Sequence, residues 1–160
     1  VLDADGLNLI SDYPELTGYF TENIIITPHL GEMARLTNKT VRELSENLIE
    51  SAREYADKYG IICVLKDAVT VVALKDGRCY INSSGNSAMG KAGSGDTLTG
   101  ILAGLLALGI EEDEAAALGV YIHGLAGDEM REQAGEHGLL ARELAWGAAK
   151  IVKGGRKKEE

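Results

Sequence analysis

Residues 90–96, with the sequence GKAGSGD, carry the strongest chemical signal in this chain, and we call them the anion loop. Their three glycines allow the backbone to lie close against a ligand. Apolar residues then recur at helical spacing from 97 to 108, and Gly109 supplies a stop signal. A glycine loop that opens a helix presents unpaired N–H groups and the positive end of the helix dipole. The anion loop therefore predicts a site for an anion such as phosphate.

The acid that ends the anion loop, Asp96, has two interpretations that its position leaves open. Aspartate is a favoured N-cap and would stabilise the following helix by about 1 kcal/mol. A carboxylate beside an anion site is also placed to act as a general base. The loop itself is neither a P-loop, since no Gly-Lys-Ser/Thr sequence follows, nor a Rossmann fingerprint.

Polar side chains also stand where other predicted strands end. They lie in three segments: Asp3 to Asn8, Thr27-Pro28-His29 and Lys66–Thr70. Ligands of open α/β sheets bind beyond the carboxyl ends of the strands, so we expect these segments to converge on the anion loop. Lys66 would offset phosphate charge and Thr70 would donate a hydrogen bond, although a solvated lysine beside a hairpin explains the same residues. His29 is either a ligand contact or a polar loop residue.

The other histidines and the cysteines carry weaker signals. His123 falls inside a predicted helix and is interpreted as a packed structural histidine, whereas His137 is assigned to the surface. Cys63 and Cys79 lie in apolar, strand-like runs without metal-ligand spacing or a disulfide framework, which fits a reducing cytosol. No metal site is identified in the sequence.

The elements that must position these residues alternate between strands and helices. Continuous apolar runs at 24–26 and 61–65 are typical of strands buried on both faces, and 1–4 is a shorter candidate that runs into a turn at Asp5-Gly6. Asp76-Gly77 predicts a hairpin between the strands 69–74 and 78–81.

The predicted helices complete this pattern. A capping box at Thr40 and Glu43 predicts one helix that ends at Gly60, and later helices are expected at 114–130 and 139–152. The alternation predicts an α/β fold with a mainly parallel sheet and an added hairpin.

Composition limits the function classes. A chain of 160 residues with a net charge of −9 is one acidic domain, and its charge disfavours nucleic-acid binding. No apolar run reaches membrane-spanning length, so we expect a cytoplasmic protein. Val1 begins directly in a predicted strand, so the chain is expected to be the C-terminal part of a longer domain. Residues 154–160 are expected to form a disordered tail.

Five motifs together resemble one known family. They occur in the family's order: VLDADGLN at 1–8, TPHLGEMARL at 27–36, KDAVT at 66–70, GNSAMGKAGSGDTLTG at 85–100 and GVYIHGLAGD at 119–128. The resemblance is to the NAD(P)H-hydrate dehydratase family, the ADP- or ATP-dependent repair enzymes of the ribokinase-like superfamily. It implies a three-layer α/β/α sandwich, of which residues 1–153 would form the C-terminal part of a single domain.

The resemblance also implies roles for individual residues. Asp96 would take the proton from the hydroxyl of hydrated NADH or NADPH while that oxygen attacks the terminal phosphoryl group of the nucleotide, and His29 and Glu32 would contact the hydrated dinucleotide. The expected nucleotide-binding residues are Lys66, Asp67, Ala68, Val69, Thr70, Asn86, Gly93, Ser94 and Gly95. Mg²⁺ is expected with the ADP or ATP, and a homo-oligomer is expected as the assembly, with a missing N-terminal half as a further segment.

Two departures from the family pattern keep alternatives open. Asp67 follows Lys66 where the family is expected to have glycine, and Lys91 adds a cation that would favour phosphate. A small-molecule kinase of the same superfamily, acting on a hydroxymethyl-pyrimidine or a thiazole, shares the glycine loop and its aspartate. A non-catalytic nucleotide-binding fragment is the third interpretation.

Overall fold

The computed structural model of the chain describes residues 1–154, in which helices pack on both faces of a four-stranded sheet. The strands are β1 (Ile25–Ile26), β2 (Ile62–Leu65), β3 (Thr70–Ala73) and β4 (Cys79–Asn82), in that spatial order. The helices are α1 (Asp5–Asp12), α2 (Leu30–Thr37), α3 (Val41–Glu46), α4 (Leu48–Tyr59), α5 (Ser94–Ala107), α6 (Glu112–Gly138) and α7 (Ala141–Gly154), with 3₁₀ turns at Pro14–Tyr19 and Ser87–Met89.

The sheet is mixed, which corrects the expectation of a mainly parallel one. Within residues 1–154, β1 and β2 pair in parallel, whereas β2–β3 and β3–β4 are antiparallel. Only four residues separate β2 from β3, too few for the crossover that a parallel pair requires. The predicted hairpin is confirmed, and Leu2 adds an isolated parallel bridge to Ile26 in place of the strand expected at 1–4.

Two apolar layers explain why the strands have no alternating pattern. Ile26, Cys63 and Leu65 face a core built with helices α1 to α4. Ile25, Ile62 and Val64 face the opposite core, where they meet buried residues of α5 and α6. Each face of β1 and β2 is therefore covered, as expected for continuous apolar strands. The three-layer α/β/α arrangement predicted above is confirmed.

Two local expectations are corrected by the backbone. Asp5 and Gly6 begin α1 instead of forming a turn, and Ala4, the N-cap residue, has φ 46° and ψ −115°. The capping box at Thr40 is present, but the helix breaks at Asn47 into α3 and α4 before the predicted stop at Gly60. In the C-terminal part, α6 contains a non-helical residue, Gly135 (φ 73°), and the tail predicted at 154–160 lies outside the described residues except Gly154, which ends α7.

Candidate functional site

One open cleft of about 820 Å³ lies at the carboxyl ends of β1 and β2, beside the start of α5. The polar segments predicted to converge do so here, because both strand ends and the anion loop meet at this edge of the sheet. All predicted site residues except Val69 line the cleft: His29, Glu32, Lys66, Asp67, Ala68, Thr70, Asn86, Gly93, Ser94, Gly95 and Asp96. His123, interpreted from sequence as structural, lines it as well.

The first turn of α5 supplies the donors for an anion. Gly93 is the N-cap with φ 89°, and no side chain caps the helix. The Ser94 N–H donates to the Lys91 carbonyl at 3.2 Å. Among residues 1–154, the N–H groups of Gly95 and Asp96 have no hydrogen-bond partner. Two unpaired donors at the positive end of the helix dipole therefore face the cleft.

Asp96 is the third residue of α5, so its interpretation as the N-cap is wrong. The cap belongs to Gly93, whose positive φ is the conformation that glycine adopts without strain. The Asp96 side chain is exposed on the cleft and makes no hydrogen bond or ion pair within the described residues. Its carboxylate is thus available to accept a proton from a bound ligand.

Lys66 is held over the anion loop by an acid from the N-terminus of the chain. Its Nζ lies 3.0 Å from Asp3 Oδ1, and the Thr99 hydroxyl donates to Asp3 Oδ2 at 2.9 Å. A Cβ added at Gly95 would lie 3.2 Å from the same Nζ, which places the ammonium directly at the start of α5. Burial alone would raise the pKa of Asp3, but Lys66 and the hydroxyls of Thr99 and Thr27 together hold that pKa below its ordinary value. A solvated Lys66 is excluded, since its side chain is 20% exposed.

His29 and Glu32 form the N-terminal cap of α2 at the opposite wall. His29 Nδ1 accepts from the N–H groups of Gly31 (2.9 Å) and Glu32 (3.3 Å), so the ring proton lies on Nε2. The Glu32 carboxylate accepts from the His29 N–H at 2.8 Å and is buried. The exposed edge of the His29 ring therefore faces the cleft, whereas Glu32 orients the cap.

The segment that precedes the anion loop is anchored to α6. Asp128 accepts from the Gly85 N–H and from the Asn86 side-chain amide, each at 2.9 Å, and Asn86 Oδ1 accepts from the Ala88 N–H at 3.1 Å. Gly124 and Gly127 permit the close approach, because a Cβ at Gly124 would lie 2.7 Å from the Ser84 backbone and one at Gly127 would meet Met89.

Lys91 is part of the same attachment, which corrects its interpretation as a free cation for phosphate. Its Nζ donates to the carbonyls of His137 (3.1 Å) and Leu139 (2.6 Å), where α6 ends. An ammonium that satisfies terminal helix carbonyls stabilises that helix end. Of these two lysines, it is therefore Lys66 whose ammonium lies at the start of α5.

Exchanging the partners of the Asn86–Asp128 contact tests whether this anchor sets the anion loop. Asn86→Asp alone would oppose two carboxylates. If ADP is the ligand, as the family resemblance implies, we expect at least a tenfold loss in the ADP affinity of the full protein, the equivalent of a charge-assisted hydrogen bond. The double variant Asn86→Asp/Asp128→Asn restores the pair with reversed polarity, because the new amide donates to position 86 and accepts from the Gly85 N–H. Titration calorimetry should find ADP affinity near wild type in the double variant. Wild-type affinity in the single variant would contradict the role of the anchor.

Residues 1–154 lack two features that would indicate other kinds of function. No group of three or more His, Cys, Asp or Glu side chains stands where it could hold a metal ion. None of the helices in this range is both long enough and apolar enough to span a membrane.

Known proteins resemble this chain in sequence over the segments that form the cleft. The profile of the family NAD(P)H-hydrate dehydratase matches residues 1–148. The chain is 48% identical over 145 residues to the bifunctional NAD(P)H-hydrate repair enzyme Nnr of Moorella thermoacetica, covering 90% of this chain and 27% of that protein. It is 39% identical over 145 residues to the ADP-dependent (S)-NAD(P)H-hydrate dehydratase of Bacillus subtilis, covering 91% of this chain and 51% of that protein.

Solved structures agree on the fold. The ADP/ATP-dependent NAD(P)H-hydrate dehydratase of Bacillus subtilis, co-crystallised with ATP/Mg²⁺, superposes with a TM-score of 0.76 at 40% identity over 81% of this chain and 47% of that one. A ribokinase-like superfamily protein of Enterococcus faecalis gives a TM-score of 0.78 at 26% identity, over 96% of this chain and 51% of that one.

The chain spans about half the length of these dehydratases, and about a quarter of the bifunctional enzyme. Within that span, the match extends through the anion loop, the Lys66 segment and the α6 motif, which are the parts that form the cleft. The fold is ribokinase-like, and the chain belongs to the NAD(P)H-hydrate dehydratase family.

Proposed function

We propose that the protein containing this chain is an ADP- or ATP-dependent dehydratase that restores hydrated NADH or NADPH. One observation carries the proposal: the Asp96 carboxylate stands beside two backbone N–H groups and the Lys66 ammonium, and neither the carboxylate nor the two N–H groups have a partner within residues 1–154. A base, an anion site and a cation in one cleft are the parts that phosphoryl transfer to a hydroxyl requires. Relatives named for this reaction support the substrate assignment.

Asp96 transfers the proton, and the groups beside it stabilise the transferring phosphoryl group. Asp96 accepts the proton of the hydroxyl added to the nicotinamide ring, and the resulting oxygen attacks the terminal phosphorus of the nucleotide. The bond from that phosphorus to the bridging oxygen breaks, and AMP or ADP leaves. Phosphate then departs from the ring with its bonding electrons, and loss of a neighbouring ring proton restores the reduced nicotinamide. The N–H groups of Gly95 and Asp96 and the Lys66 ammonium stabilise the negative charge of the transferring group.

The residues of the cleft fit a nucleotide with its cation. The segment 66–70 and the anion loop would contact the phosphates, and Asn86 would act through the loop, because its amide group already bonds Asp128 and Ala88. Mg²⁺ would bind chiefly through the nucleotide phosphates, since such ions use only one or two protein carboxylates in addition to phosphates. His29 and Glu32 would contact the dinucleotide from the opposite wall.

The assembly and location follow from the same proposal. β4 is an edge strand on which Tyr80 and Ile81 are exposed, and an exposed edge with apolar side chains favours association, so we propose a homo-oligomer. A cytoplasmic location is proposed, because the pyridine nucleotides that such an enzyme would repair are used there.

Absorbance of the reduced nicotinamide tests the activity. The full protein containing this chain, given hydrated NADPH, Mg²⁺ and either ADP or ATP, should regenerate the absorbance band of NADPH, and omission of the nucleotide should abolish the signal. A stable phosphorylated product from a hydroxymethyl-pyrimidine or a thiazole would identify a kinase instead. ADP binding without either turnover would favour a non-catalytic nucleotide-binding protein.

A further inference from the structure

We propose that His123 is a positioning residue, whose Nε2–H group donates to Ser94 Oγ and so turns the Ser94 hydroxyl toward a phosphate at the anion loop. The proposal deepens the function proposed above and rests on it. The Ser94 hydroxyl thereby becomes a third donor to the anion, beside the N–H groups of Gly95 and Asp96.

The two side chains meet across the wall of the cleft. His123 Nε2 lies 3.3 Å from Ser94 Oγ, although the residues belong to α6 and α5. Both line the cleft, and Ser94 is 9% exposed. The Ser94 N–H already donates to the Lys91 carbonyl, so its hydroxyl is the only donor that Ser94 has left for a ligand. The direction of that O–H bond therefore decides whether Ser94 attracts or repels an anion.

Close packing fixes the distance between the two helices. A Cβ added at Gly119 would lie 2.6 Å from Leu102 Cδ2, so α6 approaches α5 as closely as a glycine allows. Gly124, directly after His123, leaves no room between α6 and the backbone at Ser84. The imidazole is thus held at hydrogen-bond distance from Ser94 by contacts on both sides of it along α6.

The single proton of a neutral His123 ring lies on either Nδ1 or Nε2. Burial lowers the pKa of His123 to about 4. A hydrogen bond to the Ser94 backbone opposes this shift and the Lys66 ammonium adds to it, so the ring is neutral and carries one proton. With that proton on Nδ1, the Ser94 hydroxyl donates to Nε2 and turns its lone pairs toward the cleft. With the proton on Nε2, the ring donates to Ser94 and the hydroxyl proton is free for the ligand. A bound phosphate, which accepts hydrogen bonds only, selects the second arrangement.

A double-mutant cycle in the full protein tests this coupling by ADP affinity and by kcat/KM for the nucleotide. His123→Leu removes the donor, and Ser94→Ala removes the hydroxyl. Each should weaken ADP binding about tenfold, the typical loss of one hydrogen bond to a charged group. Because His123 acts through Ser94, the double variant should be no weaker than either single variant. His123→Gln, whose amide N–H reaches the position of Nε2, should restore most of the affinity.

The results of this cycle decide whether His123 acts through Ser94. Non-additive losses with rescue by His123→Gln support the proposal, and thermal unfolding of each variant shows whether fold stability accounts for the loss. Additive losses, unchanged affinity in His123→Leu, or failure of His123→Gln in a folded protein would overturn it. ADP binding is measured apart from turnover, so a protein without dehydratase activity would refute the proposed function and still leave the His123–Ser94 coupling to be measured.

Discussion

Asp96→Asn should lower kcat for the dehydration by about 10²- to 10⁴-fold, the range that a positioned general base contributes. The amide cannot take the substrate proton, yet it nearly preserves the size of the side chain. Asp96 has no partner within residues 1–154, so its replacement breaks no contact there. Affinity for ADP should be unchanged or slightly higher, because a negative charge leaves the neighbourhood of the phosphates. Absorbance of NADPH and calorimetry with ADP measure the two quantities separately.

Asp57→Asn is the matched control for this substitution. Asp57 is exposed in the last turn of α4, which leads into the amino end of β2, and it does not line the cleft at the carboxyl ends of the strands, so the same change there should leave both kcat and ADP affinity at wild-type values. Wild-type turnover by the Asp96→Asn variant would disprove the assignment of the base. A parallel loss of turnover and ADP affinity would instead identify Asp96 as a binding residue.

Local sequence signals sufficed for much of the fold. The apolar runs of β1 and β2, the Asp76-Gly77 turn and the capping box at Thr40 act within a few residues, and each is present in the structure. The break at Asn47 could not be predicted, because the apolar stripe of the helix continues from Leu44 to Leu48 as if uninterrupted. After that break α4 packs along β2 and β3, and packing between such separate elements is not visible in a local sequence pattern.

The candidate site was likewise predicted only in part. Glycine spacing identified the anion loop and singled out Asp96, although the exclusion of Asp96 as the N-cap needed the actual start of α5. The convergence of the strand ends was predicted, but the individual side-chain contacts were not: the lysine of the Lys66–Asp3 pair lies 63 residues from its acid, and His123 lies 29 residues after Ser94. A histidine inside an apolar helix pattern signals only burial, and nothing in the sequence says which helix end its ring meets.

Lys66→Met should cost both activity and stability. Loss of the cation beside the transferring phosphoryl group should lower kcat/KM about a hundredfold, as for removal of one charge-stabilising donor. The substitution also leaves the Asp3 carboxylate, 10% exposed, without its counter-ion. Breaking a buried pair by removal of one partner costs about 3–5 kcal/mol when burial is complete, so we expect about 2–3 kcal/mol here, measured by urea unfolding.

The dependence of this stability loss on pH identifies its cause. In the wild type the folded-state pKa of Asp3 lies below its ordinary 3.8, so its contribution to the free energy of unfolding is complete at neutral pH and disappears as the pH falls through the folded-state pKa. Without Lys66, burial dominates and raises that pKa, so Asp3 now destabilises the fold as the pH rises. The loss caused by Lys66→Met should therefore be larger at about pH 7 than at about pH 3.

Lys39→Met provides the comparison for Lys66→Met, because the Lys39–Glu54 pair, at 2.7 Å, is shorter than the Lys66–Asp3 pair, at 3.0 Å, but is exposed on both sides. An exposed pair contributes below about 1 kcal/mol, so this variant should lose little stability at either pH. Equal losses in the two variants, or a loss in Lys66→Met that does not change with pH, would mean that the Asp3 carboxylate is not held by Lys66. The predicted contrast arises from burial alone, since both substitutions remove the same ammonium from a contact with one carboxylate.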